Sequence, residues 1–193
     1  MELGKAFAFT DLAPEYAAVV IASIGPKDAC YNALESLDEA RENLRWGIGA
    51  GVQLLKKRGI SIIEVDPGSA PDAAAEAAEL AAWRFQKFKS VTDRKTEVRV
   101  TMYGKEGKEL WQEGSIFGRG QNWARFLSDM PANKMTPVDL AQGLKADDGK
   151  EVAELLLAKP PECFVSYCRV HGNALANYRE LRQESSFQRK LLH

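Results

Sequence analysis

The sequence is short of several things, and each shortage removes a class of protein. It has 3 cysteines, Cys30, Cys163 and Cys168, an odd and sparse set that reads as cytosolic thiols rather than a disulfide frame. It has 2 histidines, His171 and His193, so Ser115, Ser128 and Ser166 have no nearby His with an acidic partner, and a Ser–His–Asp hydrolase is excluded on that count. Its formal net charge is −1, which gives no electrostatic footprint for nucleic acid or an acidic membrane. No apolar run approaches the roughly 18–20 residues of a membrane helix. The start, "MELGKAFAFTDLAPEY", has only a short apolar patch broken by Asp11, unlike a secretory signal. There is no internal repeat and no low-complexity tract.

What is present suits a globular chain. Among 193 residues, 45% are hydrophobic and 27% charged, enough to bury a core for one domain, or one domain with an appendage. "AAVVIASIG" (17–25) is a continuous β-branched apolar run closed by Gly-Pro and predicts a buried strand, with "FAF" at 7–9 a short strand before it. From Leu34, apolar residues at Leu37, Leu44, Ile48, Val52 and Leu55 keep helical spacing, and Gly59 is a plausible stop. "ISIIEVD" (60–66) predicts a strand, "PGSAPD" a turn, and "AAAEAAELAAWRF" (73–85) a helix on propensity alone. "TEVRVTMYG" (96–104) alternates, as a strand with one wet face does. The stretch 108–130 predicts a long helix whose glycines allow close packing. The alternation of strands and helices argues for an α/β fold, a mixed sheet flanked by helices that serve as crossovers. Past Gly143 the pattern changes into an irregular tail containing Pro160-Pro161.

Candidate chemistry is thin. Asp147 and Asp148 are adjacent in a polar loop, where neighbouring carboxylates diverge or face water. Cys163, Cys168 and His171 offer soft ligands for zinc, but no fourth ligand is evident and the two cysteines read as alternate members of a strand. "GIGAG" (47–51) looks like a phosphate loop but falls inside a helical pattern, so close helix–sheet packing is the better reading. Asn122 and Arg125, and Arg125 and Asp129, have the spacing of surface pairs on one helix face. Thr136 and Asp139 form a T-x-x-D capping box for a following helix. Trp83, Trp111 and Trp123 sit at helical positions and read as core.

One stretch carries more information. "GQNWARFLSDMPANKMTP" (120–137) resembles the joint of the leucyl aminopeptidases, roughly G-Q-N-x-A-R-x-L-x-x-x-P-A-N-x-M-T-P, without a gap. "ENLRWGIGAGVQLL" (42–55), "IIEVDP" (62–67), "AAAEAAEL" (73–80) and "MYG" (102–104) agree with the same family, so that the resemblance covers about 4–142. It implies an N-terminal α/β domain over 1–118, similar in fold to macro domains, a joint helix and the start of a catalytic domain over 119–142, and a divergent tail over 143–193. In that family two divalent metals, Mn or Zn, the catalytic lysine and a bicarbonate-holding arginine lie in the second domain. They sit in motifs such as V-G-K-G-x-T-F-D-S-G-G and N-T-D-A-E-G-R-L. Neither motif occurs in this sequence.

The resemblance therefore implies a cytoplasmic, non-catalytic portion of a two-metal aminopeptidase, with no cofactor of its own and inactive alone. It also implies that the family's first strand and helix are missing ahead of Gly4. Catalytic and metal-binding residues are expected to be none. The expected interaction surface is the joint helix at Trp123, Phe126, Leu127 and Met130, whose apolar groups fall on more than one side. The expected partners are a second copy or a full-length aminopeptidase, and neither nucleic acid nor membrane. Two alternatives stand beside this: a truncated gene model of an active enzyme, and a macro-domain-like nucleotide-binding module.

Overall fold

The computed structural model describes residues 2–135. The readings placed on Thr136, Asp139, Asp147, Asp148, Pro160-Pro161, Cys163, Ser166, Cys168, His171, His193 and the tail 143–193 lie outside the described residues.

In chain order the strands and helices are β1 (Ala6–Phe9), β2 (Val19–Ala22), β3 (Tyr31–Asn32), β4 (Leu37–Asp38), α1 (Glu39–Lys57), β5 (Ile62–Val65), α2 (Pro71–Ala82), β6 (Arg99–Met102) and α3 (Lys108–Asp129). This is a mixed α/β fold. The ladders are short: β1 pairs antiparallel with β2, β3 antiparallel with β4, and β5 parallel with β6. Each is a two-stranded sheet, so strands and helices alternate as expected while the pairing is divided into three ladders. β5–α2–β6 is the one crossover unit among them, since parallel neighbours require a connection long enough to hold a helix.

The helix spacing that begins at Leu34 overstates α1. Leu34 is 98% exposed, and Leu37 belongs to β4. The physical reason is local. The Asn32 side-chain oxygen accepts from the backbone N–H groups of Leu34 (3.0 Å) and Glu35 (3.4 Å), which holds these residues in a turn. Asp38 then caps the helix by accepting from the Arg41 N–H at 3.1 Å. At the other end Gly59 adopts φ +83°, the left-handed conformation that ends a helix at little cost to glycine. α2 also ends earlier than propensity suggests, at Ala82, because Trp83 turns to φ −58°, ψ 146°.

The run 17–25 is not a buried strand. β2 is four residues long and Ile21 is 54% exposed, because one face of the β1–β2 ladder meets α1 and the other is open among the described residues. Phe7 pairs with Ile21 on that outer face, and both are exposed. In β5, period two puts Ile63 and Val65 into the core and leaves Ile62 outside.

The core is built on α2. Ala73, Ala74, Ala75 and Ala78 have no exposed surface, and Leu44, Val52, Leu55, Ile63, Val65 and Trp111 close around them. Small side chains on several faces suit a helix packed against both α1 and α3. Gly47 and Gly51 of α1 face β2. A Cβ on Gly47 would lie 2.8 Å from Ile24 Cγ2, and one on Gly51 would lie 3.5 Å from Val20 Cγ1. The "GIGAG" run therefore lies within α1 and brings helix and strand together.

Candidate functional site

The most elaborated surface is the seam of α2 with α1 and α3. Asp72, Glu76 and Glu79 stand on α2 at spacings of four and three, so they share a face. Each is engaged. Arg41 donates to Asp72, and Arg45 donates to Glu76 at 2.9 and 3.0 Å and to Glu42 at 2.6 Å. From α3, Gln121 donates to Glu76 and the Ser115 hydroxyl donates to Glu79 at 2.7 Å. Burial pushes the Asp72 carboxyl upward. The hydrogen bond and charge of Arg41 and the Ala73 N–H outweigh it and hold that carboxyl below the usual range.

These carboxylates do not fit the two divalent ions of the family that the sequence resembles. A two-metal site needs carboxylates converging on ions about 4 Å apart. The α2 carboxylates have their oxygens committed to arginines, an amide and a hydroxyl. Among the described residues no three His, Cys, Asp or Glu side chains gather so as to hold a metal ion.

The joint helix is the C-terminal half of α3, and Gly118 and Arg119 lie inside it without a break. It joins α2 through small residues. A Cβ on Gly114 would stand 2.0 Å from the Asp72 carbonyl oxygen, and one on Gly118 would stand 2.7 Å from Glu79 Cβ. One turn further, Asn122 is buried; its amide donates to the Glu79 carbonyl at 3.0 Å and its oxygen accepts from Arg125 at 3.0 Å. Arg125 also donates to the Leu80 carbonyl at 3.1 Å and lies over the Trp83 ring at 4.3 Å. The Asn122–Arg125 pair is thus more than a surface pair: it fastens α3 to the end of α2.

Trp123, Phe126, Leu127 and Met130 are all half-buried. Phe126 meets Phe85 at 5.8 Å between ring centroids, and Phe85 continues to Trp83 and Phe88. At 100° per residue, Trp123, Leu127 and Met130 fall on the side of α3 away from Gly114, Gly118 and Asn122. Trp111 is core as expected, at 8% exposure. Trp83 and Trp123 are half-buried, with Trp83 just past the end of α2.

Sequence reasoning missed one group, the cations around the last turn of α2. Lys56 donates to the carbonyls of Ala81 (2.7 Å) and Trp83 (2.8 Å), Gln53 to Ala81 (3.0 Å), and Arg84 to the Lys56 carbonyl (3.3 Å). No spacing signal could have found them, since Lys56 of α1, Arg84 after α2 and Arg125 of α3 come from three separate segments.

Fold and seam together define a small α/β domain of three helices and short ladders, with a long exit helix fastened along its alanine-rich helix. Its relatives show what such a domain is similar to. The chain is 36% identical over 142 residues to the cytosol aminopeptidase of Bos taurus, 35% to that of Homo sapiens over the same length, and 31% over 150 residues to that of Dictyostelium discoideum. Over this stretch, about 74% of its length, the chain is similar to the cytosol aminopeptidases. It spans about a quarter of those relatives, 27% of the bovine and human proteins and 28% of the Dictyostelium one. No family model matches the chain. No described helix is long and apolar enough to cross a membrane.

Proposed function

We propose that this chain is a non-catalytic assembly unit of a cytosol-aminopeptidase-type protein, acting in the cytoplasm. The parent activity is removal of N-terminal residues such as leucine from peptides with two divalent metals. The unit contributes a surface to that assembly and no reacting group.

One observation carries the reading. α3 has one side committed to α2 through Gly114, Gly118 and Asn122, while Trp123, Leu127 and Met130 form an apolar stripe on its other side. A helix with two apolar sides is built to be covered twice. The second cover is a second copy of this chain or a full-length aminopeptidase subunit.

The reading is tested first by activity. Purified chain incubated with leucine p-nitroanilide and manganese is expected to show no turnover above a blank. Turnover that persists after contaminating peptidase is removed contradicts the reading.

A further inference from the structure

The two ends of α2 treat positive charge differently. At its N-terminal end each arginine meets a carboxylate: Arg41 pairs with Asp72, and Arg45 pairs with Glu42 and Glu76. At its C-terminal end Lys56, Arg84 and Arg125 are gathered around residues 80–84, where they donate to backbone carbonyls with one exception. The exception is the Asn122 amide oxygen, which accepts from Arg125. Among the described residues no ion pair involves these three.

The charge does not balance. A helix C-terminus supplies roughly half a negative charge. Three fixed cations against it leave a surplus of roughly two and a half positive charges. The following loop adds to the field, with Lys87, Lys89, Arg94 and Lys95 against the carboxylates of Asp93 and Glu97. Burial and the charges of Arg84 and Arg125 hold the Lys56 amine below the usual lysine range.

Donors are also left over. Arg84 Nε is buried and meets no acceptor among the described residues. Buried polar atoms are nearly always satisfied, so an unmet donor points to an acceptor from beyond the described residues. Arg125 uses only Nη1 in its hydrogen bonds, and its guanidinium is already oriented by the Trp83 ring. Lys56 uses two of its three donors.

We propose that Lys56, Arg84 and Arg125 form a receiving site for a phosphate-class oxyanion at the C-terminal end of α2. The magnitude favours this class over a single carboxylate. A phosphate carries about −1.5 to −2 charges near neutral pH and three acceptor oxygens, which matches the surplus, whereas a carboxylate would leave more than one charge uncompensated. Free phosphate and a phosphorylated side chain present the same group. The site stands independently of the assembly reading, because neither α3's apolar stripe nor a catalytic centre takes part in it.

The full chain is titrated calorimetrically with sodium phosphate, with phosphoserine and with a triglutamate peptide, against sodium chloride at matched ionic strength. One phosphate is expected to bind per chain, saturably, with the indole N–H resonance of Trp83 shifting in step. Arg84→Gln and Arg125→Gln are each expected to weaken binding by about tenfold or more, as loss of a charge-assisted hydrogen bond does. Arg99→Gln, at an exposed position of β6, is expected to leave binding unchanged. Phosphoserine binding as well as phosphate, or better, supports the site and tells which source it reads. Should a glutamine variant fail to fold, the wild-type titration and its Trp83 resonance still decide the matter. A phosphate response equal to that of matched chloride overturns the proposal. So do folded glutamine variants that keep wild-type affinity, or triglutamate binding where phosphate does not.

Discussion

Replacing Gly114 with alanine tests the seam at its tightest point. The added Cβ would stand 2.0 Å from the Asp72 carbonyl oxygen, 2.6 Å from its carbon and 2.7 Å from its Cα. All three obstacles are backbone in the first turn of α2, so no side chain can swing aside. The only relief is to move α3 off α2, which would open the contact that buries Ala73, Ala74 and Trp111. Overpacking a core costs about 1–3 kcal/mol, and occasionally more. Against backbone the upper end applies, offset by about 1 kcal/mol of improved helix propensity for alanine over glycine. A net loss of about 2 kcal/mol or more is expected, a large part of a domain stability of about 5–15 kcal/mol. Gly49→Ala is the matched control. Gly49 lies in α1 with nothing within 4 Å of its would-be Cβ, so the propensity gain stands alone and about 1 kcal/mol of stabilisation is expected. Urea unfolding followed by circular dichroism reads both. If Gly114→Ala proves as stable as the parent while Gly49→Ala gains stability, the close seam is wrong.

Three further outcomes follow from the same geometry. Asp72→Asn removes a carboxyl held below its ordinary pKa by Arg41, so its contribution is present above the unfolded value of about 3.9 and is lost as pH falls through the lower folded value. The variant should be less stable at pH 7, and its stability should fall less steeply than the parent's below about pH 4; identical acid-unfolding curves would refute this. Asn122→Ala removes a buried amide and leaves the Glu79 carbonyl without the donor it meets there, and should cost about 1–3 kcal/mol in urea unfolding. Val52→Ala empties part of the core at a residue only 2% exposed and should lower the urea midpoint with little change in slope.

Much of the fold is legible in the sequence where one physical signal dominates. The alanines of α2 announce a helix by propensity alone, and Pro71 and Trp83 set its true limits. The glycines of α1 and α3 read as packing residues because they stand inside helical patterns, and the distances at Gly47, Gly114 and Gly118 bear this out. The signal fails where a local polar bond outranks apolar periodicity. Leu34 and Leu37 keep helical spacing with α1, yet Asn32 and Asp38 take the backbone into a short hairpin, β3–β4, before the helix begins. It fails again at β2, where an apolar run suggests burial on both faces and, among the described residues, one is covered. The cationic group at the end of α2 is invisible in sequence for a different reason. Lys56 and Arg84 are 28 positions apart, and Arg125 reaches Leu80 across 45, so only the folded helices bring them together.

The assembly reading stands or falls on the apolar stripe of α3. The most direct measurement is sedimentation velocity of the chain alone and mixed with an intact cytosol aminopeptidase, beside a Trp123→Glu, Leu127→Glu variant. Burial of roughly 400 Å² of apolar surface is worth about 10 kcal/mol before entropic costs, so association should be evident at micromolar concentration. The account predicts a self-associated species or co-sedimentation with the enzyme, and loss of both in the folded variant. A compact monomer that ignores the enzyme, with the variant indistinguishable from it, contradicts the account.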